Sequence, residues 1–314
     1  MEKKGIKKKL PAELTILLIF MLIFLCSTLF IDGFMTYDNI TNLLRSTAVN
    51  GIIAMGMTFV IIAAGIDLSV GAVAGLAGIV TAMMMSGTEN IVVPILGGIL
   101  AGAAVGALNA VFIFEGKVPP FIATLGTQTA VRGFIMLITG ARLITKLPKA
   151  FTGFAQVRIL GIPAMVLVWI GVVIIGAFIV KFTLVGRNIY AIGSNTEAAR
   201  LSGINIRKNT YFVYIFAAVV SAVAGIVLTT RLSNGIPTAG QGFEQDAIAA
   251  VIIGGASFNG GEGTVLGTVI GALIMQTLKN AGNLLGINSF LLEIMTGLLL
   301  VGAVMIDQLK KRGQ

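Results

Sequence analysis

From Leu14 to Ile306 the chain is a succession of apolar runs separated by short polar intervals. Lipid offers backbone amides no hydrogen bonds, and a helix satisfies them within one segment, so runs of this length predict helices crossing a membrane. Hydrophobic residues make up 56% of the sequence and charged residues 11%, with a mean hydropathy of +0.98. A soluble domain carries roughly a quarter charged residues. The chain reads as an all-α polytopic membrane protein. Its 40 glycines lie mostly inside apolar runs, where small residues let helices approach closely. Cys26 is the only cysteine and histidine is absent, which excludes an intrachain disulfide and removes the commonest metal ligand and proton shuttle. No Gly-x-x-x-x-Gly-Lys-Ser/Thr loop occurs, so the chain has no nucleotide site of that kind.

Ten runs are legible. Lys3, Lys4, Lys7, Lys8 and Lys9 precede the first, Leu14 to Ile31, which no small-residue cleavage pattern closes; it reads as a retained span with its basic end in the cytoplasm. A polar link holding Asp32, Asp38, Asn39 and Arg45 follows. The second and third runs, about Val49 to Ala64 and on to about Met85, are parted at Gly65-Ile66-Asp67-Leu68-Ser69-Val70-Gly71. The fourth, Ile91 to Phe114, carries Gly98, Gly102 and Gly106 as a small face for a neighbour. The fifth is Phe121 to Thr139, the sixth Ala164 to Phe182 and the seventh Tyr211 to Thr230. A polar loop from Arg231 to Asp246 precedes a short eighth run, Ala247 to Ala256; the ninth begins at Thr264 and the tenth spans Phe290 to Ile306.

Threaded from a cytoplasmic N-terminus, this order puts both chain ends and residues 184–209 in the cytoplasm, with most of the 22 Lys and Arg residues on that side. The net charge of +9 then reflects membrane placement and needs no nucleic-acid partner. One transmembrane domain, residues 12–307, is flanked by basic segments 1–11 and 308–314.

The second and third runs, and the eighth and ninth, share a helix, polar glycine break, helix pattern. Broken helices at membrane depth belong where protein or a wet cavity surrounds them. Asp67 and Glu262 are the carboxylates of the two breaks. They read either as a gate, with Asp67, Ser69, Asn259 and Glu262 bonding across a closed pore, or as caps of helices beginning at Leu68 and Thr264. Asn50, Asn109, Thr124, Thr127, Gln128 and Arg132 can line a polar route or simply bond between helices. Trp169 can stack on a sugar or pack.

Gly186 to Ile204 is the longest polar interval. Ser194 and Glu197 are spaced as a capping box, Ala198, Leu201 and Ile204 fall on one side of a two-turn helix, and Gly203 provides a stop. Alone, the segment reads as an interfacial helix on lipid headgroups or as a handle for a protein outside the membrane.

Gly65 to Gly71 together with Gly186-Arg187-Asn188-Ile189-Tyr190-Ala191-Ile192-Gly193-Ser194-Asn195 resembles the permeases of bacterial sugar-importing ATP-binding-cassette transporters, the ribose-type branch above all. Residues 197–204, 237–240, 246–251 and 260–271 extend the resemblance, which covers about 35–307. It implies a homodimeric permease, two ATP-binding subunits or one tandem ATPase chain that hold the ATP and Mg, and a periplasmic or lipid-anchored sugar-binding protein. The chain itself would carry no catalytic residue, cofactor or metal. Glu197, Ala198, Arg200, Leu201 and Gly203 would form the coupling helix seated in the ATPase, while Asp67, Ser69, Asn109, Thr124, Gln128, Asn259 and Glu262 would serve path or gate. Residues 257–263 depart from the family's Ser-Leu-Ala-Gly-Gly-Lys-Gly: Glu262 stands where a lysine is expected and reverses a charge near the presumed gate. An ion-coupled secondary transporter is the competing class, with Asp67, Asp246, Glu262 and Glu293 as its only inner carboxylates. A permease for nucleosides or another small polar solute is the nearer alternative.

Overall fold

Hydropathy becomes helices that differ in length, and the differences position the site. A computed structural model describes residues 12–86 and 88–312. Its main helices are α1 (Ala12–Phe30), α2 (Tyr37–Ile62), α3 (Val70–Met85), α4 (Val92–Ala110, continued by a π-helical turn Val111–Glu115) and α5 (Pro120–Thr139). A loop region follows with α6 (Lys149–Gly153) and a hairpin of β1 (Arg158–Ile159) and β2 (Ile162–Pro163). Then come α7 (Ala164–Phe182), α8 (Leu184–Ser194), α9 (Thr196–Leu201), α10 (Ile206–Leu232), α11 (Phe243–Ile253), α12 (Val265–Leu284) and α13 (Ser289–Arg312). The basic segment 1–11 and the end of the tail, 313–314, lie outside the described residues.

Each of the ten apolar runs contains a helix, but ten full crossings do not result. Among the described residues seven helices are long and apolar enough to span a membrane. α3 has 16 residues and α11 only 11, and α12 is diluted by Gln276, Lys279, Asn280 and Asn283. The polar link after α1 is also shorter than expected, because α2 starts at Tyr37 and carries Asn39 and Arg45 within it. Asn39 finds a partner, since it and Asn280 exchange amide bonds of 2.7 and 3.0 Å, whereas two nitrogens of Arg45 are buried without one among the described residues.

α10 is the central post, packed against α2, α3 and α4. The small face of α4 works at this contact. A Cβ on Gly102 would stand 2.7 Å from Ala222 Cβ, and one on Gly106 2.6 Å from Ala218 Cβ, so only glycine allows this approach. α2 is buried at every position from Gly51 to Ile62, the behaviour of a helix apolar on all sides. α1 and α13 instead expose Leu18, Leu22, Leu29, Leu298 and Val301, the surface expected against lipid.

Two helices begin where the chain turns back inside the bundle. After α2 the chain reverses through Ala64, held in the left-handed region, and α3 starts at Val70. The second turn-back was expected as a polar loop, Arg231 to Asp246. It runs instead along α3: Gly235 abuts Ala82, Ala239 lies against Gly75, and Gly240 reaches Gly71. From Ala82 to Gly71 this descends about 16 Å of helix. α11 starts there, so the N-termini of α3 and α11 meet, with Gly71 facing Gly240 and Glu244. Gly240, at φ +73°, makes the turn, and neither glycine has room for a Cβ.

Candidate functional site

The α8–α9 corner is built around a sharp turn at Asn195. Its side chain accepts the amide of Ala198 at 2.9 Å and caps α9. Ser194, the expected capping-box residue, is the last residue of α8, so the cap is displaced by one position. Asn195, at φ −161°, has the extended backbone a cap requires. Glu197 pairs with Arg200 through two bonds, 2.6 and 3.0 Å, both side chains mostly exposed. The Arg200 guanidinium holds the Glu197 carboxyl below its ordinary range. An exposed pair of this kind shapes the surface and adds little stability. Gly203, at φ +84°, ends the corner, and Ile204 donates its amide to Ala199 at 3.1 Å.

The apolar face also differs from expectation. Ala199 is the buried residue and Ile204 is half-buried, whereas Ala198 is exposed and Leu201 projects with 75% of its surface free. This corner is fastened to the bundle on its inner side. Tyr190 donates its hydroxyl to Gly263 O at 2.6 Å, and Gly193 lies directly against Ile62 O and Gly261 N. Gly261 donates to Ile62 O at 2.8 Å and Gly260 sits against Ala64. α8 therefore bears on the end of α2 and on the turn 254–264 between α11 and α12 at once.

The break before α3 forms a buried polar knot. Asp67 Oδ1 accepts from Ser69 N at 2.8 Å and from Ser69 Oγ at 2.6 Å. Asn109 donates to Ser69 Oγ at 2.9 Å, and Leu68 N donates to Thr124 Oγ1 at 3.1 Å. Asp67 thus ties the turn ahead of α3. Higher on α5 the same face continues: Gln128 donates to Glu244 Oε1 at 3.0 Å and Arg132 to Ala239 O at 2.6 Å. Thr124, Gln128 and Arg132 are four residues apart, so one helix face clips the first break, the first turn of α11 and the descending segment in sequence. Glu244 is the site residue that reading by runs overlooked. The signal was present, since Gln128 and Arg132 on a spanning helix call for an acceptor at membrane depth.

Asn259 and Glu262 lie elsewhere. Asn259 Oδ1 accepts from Gln308 at 3.2 Å, and the Glu262 side chain is exposed near α8. No hydrogen bond among the described residues joins them to Asp67 or Ser69. The cap of α12 is Thr264, which accepts from Gly267 N at 3.0 Å, in place of the expected Glu262. The two breaks do meet, but through backbone at Ala64 and Gly260. Trp169 is buried against Gly51, a packing position.

The α8–α9 corner, exposed at its tip, is thus fixed at its base to the turns that follow α2 and precede α12, in a chain with seven span-length helices among the described residues. Residues 39–306 match the family model described as "Branched-chain amino acid transport system / permease component". The chain belongs to this family. It is a multi-pass membrane permease component. It is 46% identical over 280 residues to the ribose import permease protein of Haemophilus influenzae, covering 87% of this chain and 86% of that one. To the ribose import permease protein of Bacillus subtilis it is 41% identical over 309 residues, 98% and 94% of the two chains. To the L-arabinose transport system permease protein of Escherichia coli it is 33% identical over 298 residues, 95% and 91%. No solved structure matches it.

Proposed function

We propose that this permease component is the membrane subunit of an ATP-binding-cassette importer that moves a monosaccharide, ribose or a close analogue, inward by alternating access. The observation that carries the reading is the α8–α9 corner: exposed at its tip through Leu201, Glu197 and Arg200, and seated at its base on both α2 and the 254–264 turn. A force applied to the tip reaches the two broken helices through backbone contacts, with no flexible linker between.

In this reading the tip, Glu197, Ala198, Arg200, Leu201 and Gly203, docks on an ATPase subunit that binds ATP and Mg. The corner and both chain ends face the cytoplasm. Two copies of the chain form the pore, two ATPase subunits or one tandem chain sit beneath it, and a periplasmic or lipid-anchored sugar-binding protein docks on the opposite side. Asp67, Ser69, Asn109, Thr124 and Gln128, with Glu244, line the path or hold its gate. Supporting this, Asp67, Asn109, Thr127 and Glu244 each keep one buried oxygen without a protein partner among the described residues. That is hydrogen-bonding capacity which a hydroxylated solute or its water uses. The names of the relatives support a pentose or hexose over an amino acid.

The test is uptake by the purified assembly in proteoliposomes, with ribose, allose, arabinose, a nucleoside and leucine offered in turn. ATP-dependent uptake of one sugar is expected, and Leu201→Asp should abolish it while leaving the protein inserted. Uptake driven by an ion gradient without ATPase subunits, preference for leucine or the nucleoside, or full activity of Leu201→Asp would each overturn the reading.

A further inference from the structure

A polar chamber, open along one side, lies between α11, α12 and α13 and takes no part in the contacts described so far. Its volume is about 320 Å³, at the lower end of the roughly 300–1,000 Å³ typical of small-molecule sites. Gln241, Gln245, Asp246, Lys279, Asn283 and Glu293 line it. Its place is fixed by α12: Asn280, next to Lys279, bonds Asn39 at the start of α2, whereas α8 bears on Ile62 at the end of α2. The chamber therefore lies in the half of the bundle away from the α8–α9 corner and reaches the α12–α13 turn.

Asp246, 5% exposed, accepts two bonds from Lys279 Nζ, at 2.5 and 2.6 Å. Taking such a pair out of water costs several kcal/mol per ion, and ionisable groups inside a membrane typically face a wet cavity or a substrate route. Here the pair cancels its own charge but leaves the third N–H of the ammonium and the outer lone pairs of the carboxylate for a ligand. The amides of Gln241, Gln245 and Asn283 each both donate and accept. Hydroxyl groups do the same. An anion would meet Asp246 and Glu293, whereas a small cation would find Asp246 already engaged by an ammonium and only Glu293 left, an exposed carboxylate that stays hydrated.

We propose that this chamber is a holding site for an uncharged polyhydroxylated solute of monosaccharide size, occupied between release from the outside and passage through the core. It rests on the importer reading above. The site explains why a charged pair and the amides of Gln245 and Asn283 persist on α11 and α12, with Gln241 just ahead of α11.

The sole cysteine makes a direct test simple. In a Cys26→Ser background, Asn283→Cys places a thiol on an exposed end of α12. In proteoliposomes holding the complete transporter, a membrane-impermeant maleimide added on the binding-protein side should label it. Saturating ribose with binding protein should slow labelling about fivefold or more. Absence of labelling, or labelling indifferent to sugar, overturns the proposal. As a second arm, Gln245→Leu should lower uptake about fivefold, the loss of one hydrogen bond to the solute, while binding-protein-stimulated ATPase is retained. Undiminished uptake overturns the proposal as well. If the wild-type complex moves no sugar, the importer reading fails and this one with it; if it does and either arm is negative, only the chamber assignment falls.

Discussion

Removing one hydroxyl, in Tyr190→Phe, isolates the link between lever and break. The hydroxyl makes a single 2.6 Å bond to Gly263 O, and the ring keeps its packing when the oxygen is gone. Burial raises the phenol pKa above its usual 10, so the donor is present at every working pH. Both partners are partly buried, so the net loss is about 1 kcal/mol, roughly fivefold in the equilibrium between states in which α8 and the 254–264 turn move together or apart. Insertion and thermal stability should change little. The measured quantity is ATP hydrolysed per sugar imported, in proteoliposomes with binding protein present. We expect it to rise about three- to fivefold, because ATPase closure no longer reaches the turn in every cycle. Tyr211→Phe is the control, since its hydroxyl reaches Glu115 at 3.4 Å in an exposed position and touches neither break. A normal ratio in fully inserted Tyr190→Phe would refute the mechanical argument, as would an equal effect of the control.

Asn195→Ala should loosen α9 by about 1 kcal/mol through loss of its cap and weaken ATPase binding in pull-down, with Asn195→Ser restoring it. Gln128→Leu removes the amide from which Glu244 Oε1 accepts and should lower the melting temperature of the purified protein by a few degrees, read by thermal shift, with Gln128→Asn no better because its amide is too short to reach. Asp67→Asn keeps an acceptor oxygen for Ser69 but removes the charge. If the knot holds a gate, ATP turnover without binding protein should rise; basal turnover equal to wild type would leave Asp67 as the tie of the turn alone.

Much of the fold could be read from runs of hydropathy because membrane helices obey local chemistry. The small face of α4 met its neighbour as expected, since glycine spacing alone dictates where a backbone can approach. The polar corner stood out by contrast with its surroundings, yet its cap was misplaced by one residue: Ser194 and Asn195 are both good caps, and the kink between α8 and α9 decides between them. The start of α2 was missed because Asn39 and Arg45 look like loop residues until Asn280, more than 200 positions away, is known to be opposite. The descending segment 233–242 was hidden for the same reason. Arg231 to Asp246 reads as a polar loop between runs, and only the fit of Gly240 to Gly71 takes it inside. Glu244 shares that fate, since its partner Gln128 sits on a helix 116 residues earlier.

The meeting of Gly71 with Gly240 also sets the order in which the protein can be built. α3 is inserted with its starting turn uncovered, and the segment that covers it is synthesised about 170 residues later. At about 5–20 residues per second, the ribosome needs roughly 10–30 s to deliver it. For most of that interval the polar knot at Asp67 is held by Asn109 of α4 and Thr124 of α5, until α10 brings Tyr214 to Ile66 O. The first half of the chain is thus an unfinished folding unit, and a nascent chain arrested before residue 240 should be drawn to membrane quality control even though its early helices are already inserted.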